Sequence, residues 1–159
     1  MAAADAVEFV STAAQEAWRA TLGLRNRNPG NIDWIVNPLQ RWRGMIARNG
    51  RFGVFDTDAN GVRAIGKELE RAASRGARTV DHLIGGIPQK DGSRYDAWAP
   101  PQENDTAAYV RNVAKWVGVG ANDAIDIHGL LPELTAAIIR QENGAQPYAL
   151  DDIARWVYS

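Results

Sequence analysis

No cysteine occurs among the 159 residues, which excludes disulfides and thiolate metal sites. Histidine is nearly as scarce. His82 and His128 lie far apart and lack ligand-like spacing, so neither a metal nor any other cofactor is expected. Neither charge sign is in real excess: the net charge is −1, which supplies no overall attraction for nucleic acid. No apolar run approaches the length needed to cross a bilayer, so membrane insertion is not expected. Nor is a secretory signal expected at the N-terminus. The first residues have no basic start, and Asp5, Glu8 and Glu16 interrupt the region that would have to be apolar. The absence of cysteine is compatible with cytoplasm, periplasm or a virion and selects none of them.

What is present suits one domain spanning residues 1–159, long enough to bury about 70% of its unfolded surface. No internal repeat or long linker divides it. The pattern is mainly helical with a small β component, an α+β class. Ala6, Phe9, Val10, Ala13, Ala17 and Leu22 mark an amphipathic helix over 1–22. Asn28-Pro29-Gly30-Asn31 is turn chemistry. Residues 42–46 and 52–55 read as strands joined through Asn49-Gly50, a hairpin dipeptide. Asp56 or Thr57 caps a helix ending near Gly76, and Thr79 caps a short one over 80–84. Residues 85–101 form a loop. Asp105 or Thr106 caps a helix over 107–117. Further helices run from about Leu130 to Glu142 and over 149–158.

The chemistry concentrates near the C-terminus. Leu130, Leu134, Ala137, Ile138 and Gln141 fall at helical spacing, and Gly144 sits where a helix stops. Glu142 therefore occupies the last turn, where the negative end of the helix dipole disfavours an anion. A carboxylic acid that keeps its proton is what glycosidic cleavage requires of its donor. A solvated glutamate before a helix stop satisfies the same pattern.

Ile139-Arg140-Gln141-Glu142-Asn143-Gly144, with Pro147-Tyr148-Ala149, resembles the segment of soluble lytic transglycosylases and other lysozyme-like enzymes in which a helix-ending Glu is the general acid. Asn143 stands where those enzymes carry Ser, and Gln146 precedes the proline in place of Asn. Asn28-Pro29-Gly30-Asn31-Ile32, Trp42-Arg43-Gly44 and Phe52-Gly53-Val54-Phe55-Asp56-Thr57 are similar in order to segments of autolysin-type β-N-acetylglucosaminidases. With Ala99-Pro100-Pro101-Gln102-Glu103-Asn104-Asp105-Thr106, they also resemble small phage and prophage proteins, over about residues 23–149. The resemblance implies a lysozyme-like domain whose catalytic helix has moved to the back of the chain, a circular permutation. Such rearrangement is tolerated when termini lie together at the surface. It also implies Glu142 as acid and base, and Tyr109 as the tyrosine that stands beside that Glu in related transglycosylases. The implied partner is bacterial peptidoglycan. Delivery to the wall in the periplasm would fall to a holin, a virion or a secretion machine, with their proteins as further partners.

A glycan cleft needs amides for hydroxyl and acetamido groups and flat apolar faces for sugar rings. Asn28, Asn31, Gln40, Asn104 and Gln146 offer amides; Trp34, Trp42, Trp98, Tyr95 and Tyr148 offer faces. Asn28 and Asn31 serve equally well as turn builders, and core packing competes for every tryptophan. Trp18, Trp116 and Trp156 are assigned to packing. Trp98, in a proline-rich loop, has the strongest claim to ligand. Glu103 is the carboxylate free of capping duty and the candidate second acid. A hydrolase needs such a group, whereas a transglycosylase does not, because the muramyl 6-hydroxyl attacks its own anomeric centre. No second carboxylate is clearly marked, which favours transglycosylation. Glu16 lies on a helix before the Asn-Pro-Gly segment, but no helix stop follows it, so a structural role is expected. The rival class is a non-enzymatic virion protein or wall-binding module that kept the fold.

Overall fold

The computed structural model describes residues 21–159. The expected N-terminal helix, with Glu16 and Trp18, lies outside the described residues. A single turn, α1 (Leu22–Arg25), is capped by the Thr21 hydroxyl accepting from the Leu24 N–H. The chain then turns sharply. Arg27 and Asn31 both have a φ of 51°, a left-handed conformation that asparagine tolerates better than most residues. They flank the Asn-Pro-Gly segment expected to be a turn.

The hairpin is β1 (Met45–Asn49) paired antiparallel with β2 (Phe52–Phe55). The first strand starts later than the alternation over 42–46 suggests. Gly44, at φ 81°, breaks the extended run, and the Met45 N–H bonds back to the Trp42 carbonyl in a turn. Asn49 pairs directly with Phe52, so Gly50 and Arg51 are the central turn residues. Gly50 has a φ of 61°, at the first central position that a type II′ turn reserves for glycine.

Thr57, not Asp56, caps α2 (Asp58–Ser74), accepting from the Asn60 N–H. Asp56 instead accepts from the Asn60 side chain. The interior glycine of α2, Gly61, has a steric reason: a Cβ there would stand 1.8 Å from the Arg27 carbonyl oxygen. The left-handed turn rides directly on this helix. Thr79 caps α3 (Val80–Gly85), as its position suggests. The following loop is more regular than expected, because β3 (Ile87–Pro88) pairs with β4 (Arg94–Tyr95) inside it. Asp105 caps α4 (Thr106–Val117). Then come α5 (Leu131–Asn143), closed by Gly144 at φ 70°, and α6 (Leu150–Val157).

Helix α5 lies centrally, packed against α4, α6 and α2. Ile65 and Leu69 of α2, Val113 of α4, Leu134 and Ile138 of α5, and Ile153 of α6 are buried together in one apolar cluster. Each aliphatic side chain so buried contributes roughly 1.5–3 kcal/mol relative to exposure. Helix therefore dominates two small antiparallel sheets, an α+β arrangement. Among the described residues, no helix is long and apolar enough to cross a membrane.

Candidate active site

Two buried asparagines fix the Asn-Pro-Gly turn from opposite sides. Asn28 is wholly buried, and its Nδ2 donates to the carbonyls of Ile32 at 2.8 Å and Gly53 at 2.9 Å. Its Oδ1 accepts from the Ile32 N–H at 2.9 Å. That side chain binds the turn to β2. Asn143, at the end of α5, donates to the Pro29 carbonyl at 2.8 Å and to Ile139 at 2.9 Å. Its Oδ1 accepts from the Thr21 hydroxyl at 2.6 Å. Serine is too short to make all three bonds, so Asn143 joins the end of α5 to the turn in a way that serine could not.

Between these two anchors Asn31 is carried to the end of α5, where its Nδ2 donates to Glu142 Oε1 at 2.9 Å. The other oxygen, Oε2, accepts from the Tyr109 hydroxyl of α4 at 2.8 Å. A further bond, from Asn112 to Gln141 at 2.9 Å, fixes α4 against α5 beside it. Burial pushes the Tyr109 phenol well above its ordinary range, and the adjacent Glu142 carboxylate pushes it further; contact with the Trp98 side chain works the other way. Tyr109 is thereby kept as a proton-bearing donor. Each carboxylate oxygen has two lone-pair directions, so the two donors fix the rotamer without using up the acceptor capacity of Glu142. Among the described residues, no cation pairs with Glu142.

Glu142 is half-buried and lines a groove of about 810 Å³ between the hairpin and the helices. Asn31, Trp34, Phe52, Trp98 and Asn104 line it as well. Trp98 is held by its backbone N–H on the Leu83 carbonyl, and Gly30 leaves room for the indole: a Cβ there would stand 3.1 Å from the ring. Glu103 also faces the groove but is engaged by Arg51 at 2.8 Å. Arg51 in turn binds Asp33 at 2.9 Å, and these two carboxylates hold its guanidinium charged far above the ordinary range.

Five expected contact residues do not line this groove; one of them, Tyr95 of β4, stays exposed outside it. Asn28 has its amide fully spent inside the turn. Trp42 donates its indole N–H to Glu68 at 2.8 Å, so it backs the groove wall through Glu68 rather than offering its ring. Gln146 closes a local turn on the Tyr148 backbone, with bonds of 2.6 and 2.8 Å. Tyr148 reaches Asp58 at 3.1 Å and sets its ring edge-on to Trp156, with centroids 5.6 Å apart. The contacts of Asn28, Trp42 and Tyr148 are satisfied by partners distant in the chain, and those of Gln146 by its own turn. Sequence reasoning missed Arg51, whose position in the hairpin turn carries no local sign of its partners. It noted Asn143 only as a departure from serine, which was the available signal for its anchoring bonds. Among the described residues, no cluster of potential ligands could hold a metal ion.

No family model matches the chain. Over 157 residues, covering 97% of this chain and 89% of the relative, the sequence is 32% identical to Protein P5 of Pseudoalteromonas phage PM2. At that identity and coverage, with the alignment spanning both the hairpin and the helix that carries Glu142, the chain belongs to the family of this bacteriophage protein P5.

Proposed function

We propose that this protein cleaves the glycan strand of bacterial peptidoglycan, with Glu142 as the proton-transfer residue. The observation that carries the reading is a carboxylate held at both oxygens by neutral donors, Asn31 and Tyr109, in an open groove. Glu142 protonates the glycosidic oxygen as the bond to the leaving sugar breaks. Its carboxylate then removes a proton from the attacking hydroxyl. Transglycosylation fits better than hydrolysis, because Glu103, the other acid expected here, is engaged by Arg51. The muramyl 6-hydroxyl is then the nucleophile, and the product ends in a 1,6-anhydro sugar. The chain order also supports a permuted lysozyme-like arrangement, with turn and hairpin first and the Glu-bearing helix near the end. A bacteriophage relative is consistent with delivery by a virion or a holin.

Mass spectrometry of fragments released from purified peptidoglycan tests this reading. Anhydro-muramyl ends are expected. Reducing ends would instead indicate hydrolysis, and no released fragments with retained wall binding would favour a binding module.

Trp98 offers the sugar-facing surface nearest the turn. Trp98→Ala is expected to weaken pelleting with insoluble cell wall about tenfold, equivalent to about 1.4 kcal/mol, with little change in melting temperature. A large fall in melting temperature with unchanged wall binding would make Trp98 a packing residue.

A further inference from the structure

A second pocket, of about 770 Å³, opens between α3 and α4 beside the groove. The two adjoin, since Ala97 and Pro100 line both. Its floor is made of small apolar groups, including Pro101, Ala107, Val110 and Ala121. Two arginines stand at its edge. Arg94 spends one nitrogen on Asp81, at 2.7 Å, and on the Gly86 carbonyl, at 2.9 Å. Its other two nitrogens carry no hydrogen bond among the described residues. Arg111, exposed on α4, has no carboxylate partner among them. A shallow apolar floor with available guanidinium donors suits a ligand that combines methyl-sized side chains with carboxylates.

We propose that this pocket binds the peptide stem of the glycan strand being cut. The inference rests on the proposed activity for its choice of ligand. A stem leaves the strand at the lactyl group of the muramyl sugar and combines alanine methyl groups with free carboxylates. A strand seated against Glu142 would direct its stem across Ala97 and Pro100 onto the apolar floor. The stem carboxylates would meet Arg111 and the free nitrogens of Arg94. The pocket thus selects strands that still carry their peptides, and sets which muramyl residue stands at Glu142.

The probe is the free tetrapeptide L-alanyl-γ-D-glutamyl-diaminopimelyl-D-alanine, titrated into the full chain and followed by amide NMR shifts. Shifts are expected at Ala107, Val110, Ala121 and Asn122, with about tenfold weaker binding for Arg111→Glu. Arg111→Gln, which only removes the charge, serves if charge reversal perturbs folding. In parallel, cleavage is measured on stem-bearing strands and on strands stripped by an amidase. The Arg111→Glu loss should be about tenfold greater on stem-bearing strands. Absent or scattered shifts, equal binding by both proteins, or equal losses on both strand types would overturn the proposal. Pocket shifts without any released fragments would sink the cleavage reading and leave the stem site standing. Cleavage with a silent peptide titration would do the reverse.

Discussion

Glu142→Gln is expected to reduce release of dye from labelled peptidoglycan by about 10²-fold or more, the scale of lost acid–base help. The substitution preserves shape and removes the transferable proton. It should leave the fold intact for a specific reason. Asn31 can continue to donate to the glutamine oxygen, while the Tyr109 hydroxyl rotates to accept from the new NH₂. The side chain keeps a bond to each partner and gives up only the donor bond of the Tyr109 hydroxyl, so the melting temperature should move by no more than several degrees. Loss of dye release together with an unchanged melting curve is the expected pair. Undiminished release would remove Glu142 from the chemistry and turn attention to Glu103 and Glu16.

The largest stability effect is expected at Asn28. Its side chain is fully buried and makes three hydrogen bonds to backbone groups of Ile32 and Gly53. Asn28→Ala leaves the Gly53 carbonyl and the Ile32 N–H without their side-chain partner where water does not reach, while the Ile32 carbonyl keeps the Gly53 N–H. Each orphaned group costs about 1–3 kcal/mol, so about 2 kcal/mol or more is expected in total. Denaturant unfolding should show the midpoint falling with little change in slope. Activity should fall too, because the same bonds hold the turn that aims Asn31 at Glu142. A variant that unfolds like the parent but binds cell wall poorly would instead return Asn28 to the ligand-contact role that its residue type suggests.

The local elements were legible because their signals are local. Thr57, Thr79 and Asp105 cap the helices they precede, and Gly144 ends the helix that carries Glu142. These depend on contiguous residues and on the 3.6-residue period. The hairpin followed from Asn49-Gly50, although Gly44 moved its first strand. The boundary shifted because a single left-handed residue overrides an alternating pattern.

The site divides differently. Asn28 and Asn31 are three residues apart in one turn and indistinguishable by type, yet one is buried against β2 and the other reaches Glu142. Trp42, Trp98 and Tyr148 were all candidates, Trp98 with the strongest claim, and of the three only Trp98 lines the groove. Partners far along the chain decided each case: Gly53 for Asn28, Glu68 for Trp42, Asp58 for Tyr148. The Arg51–Glu103 pair, 52 residues apart, had no sequence signature at all. Sequence alone determined the helices from α2 onward, their stops and the placing of a carboxylate in the last turn of α5, because backbone geometry and capping act between near neighbours. Tertiary structure alone decided which amides and rings face the groove, because side-chain direction in irregular turns is set by whichever distant donor, acceptor or surface satisfies it.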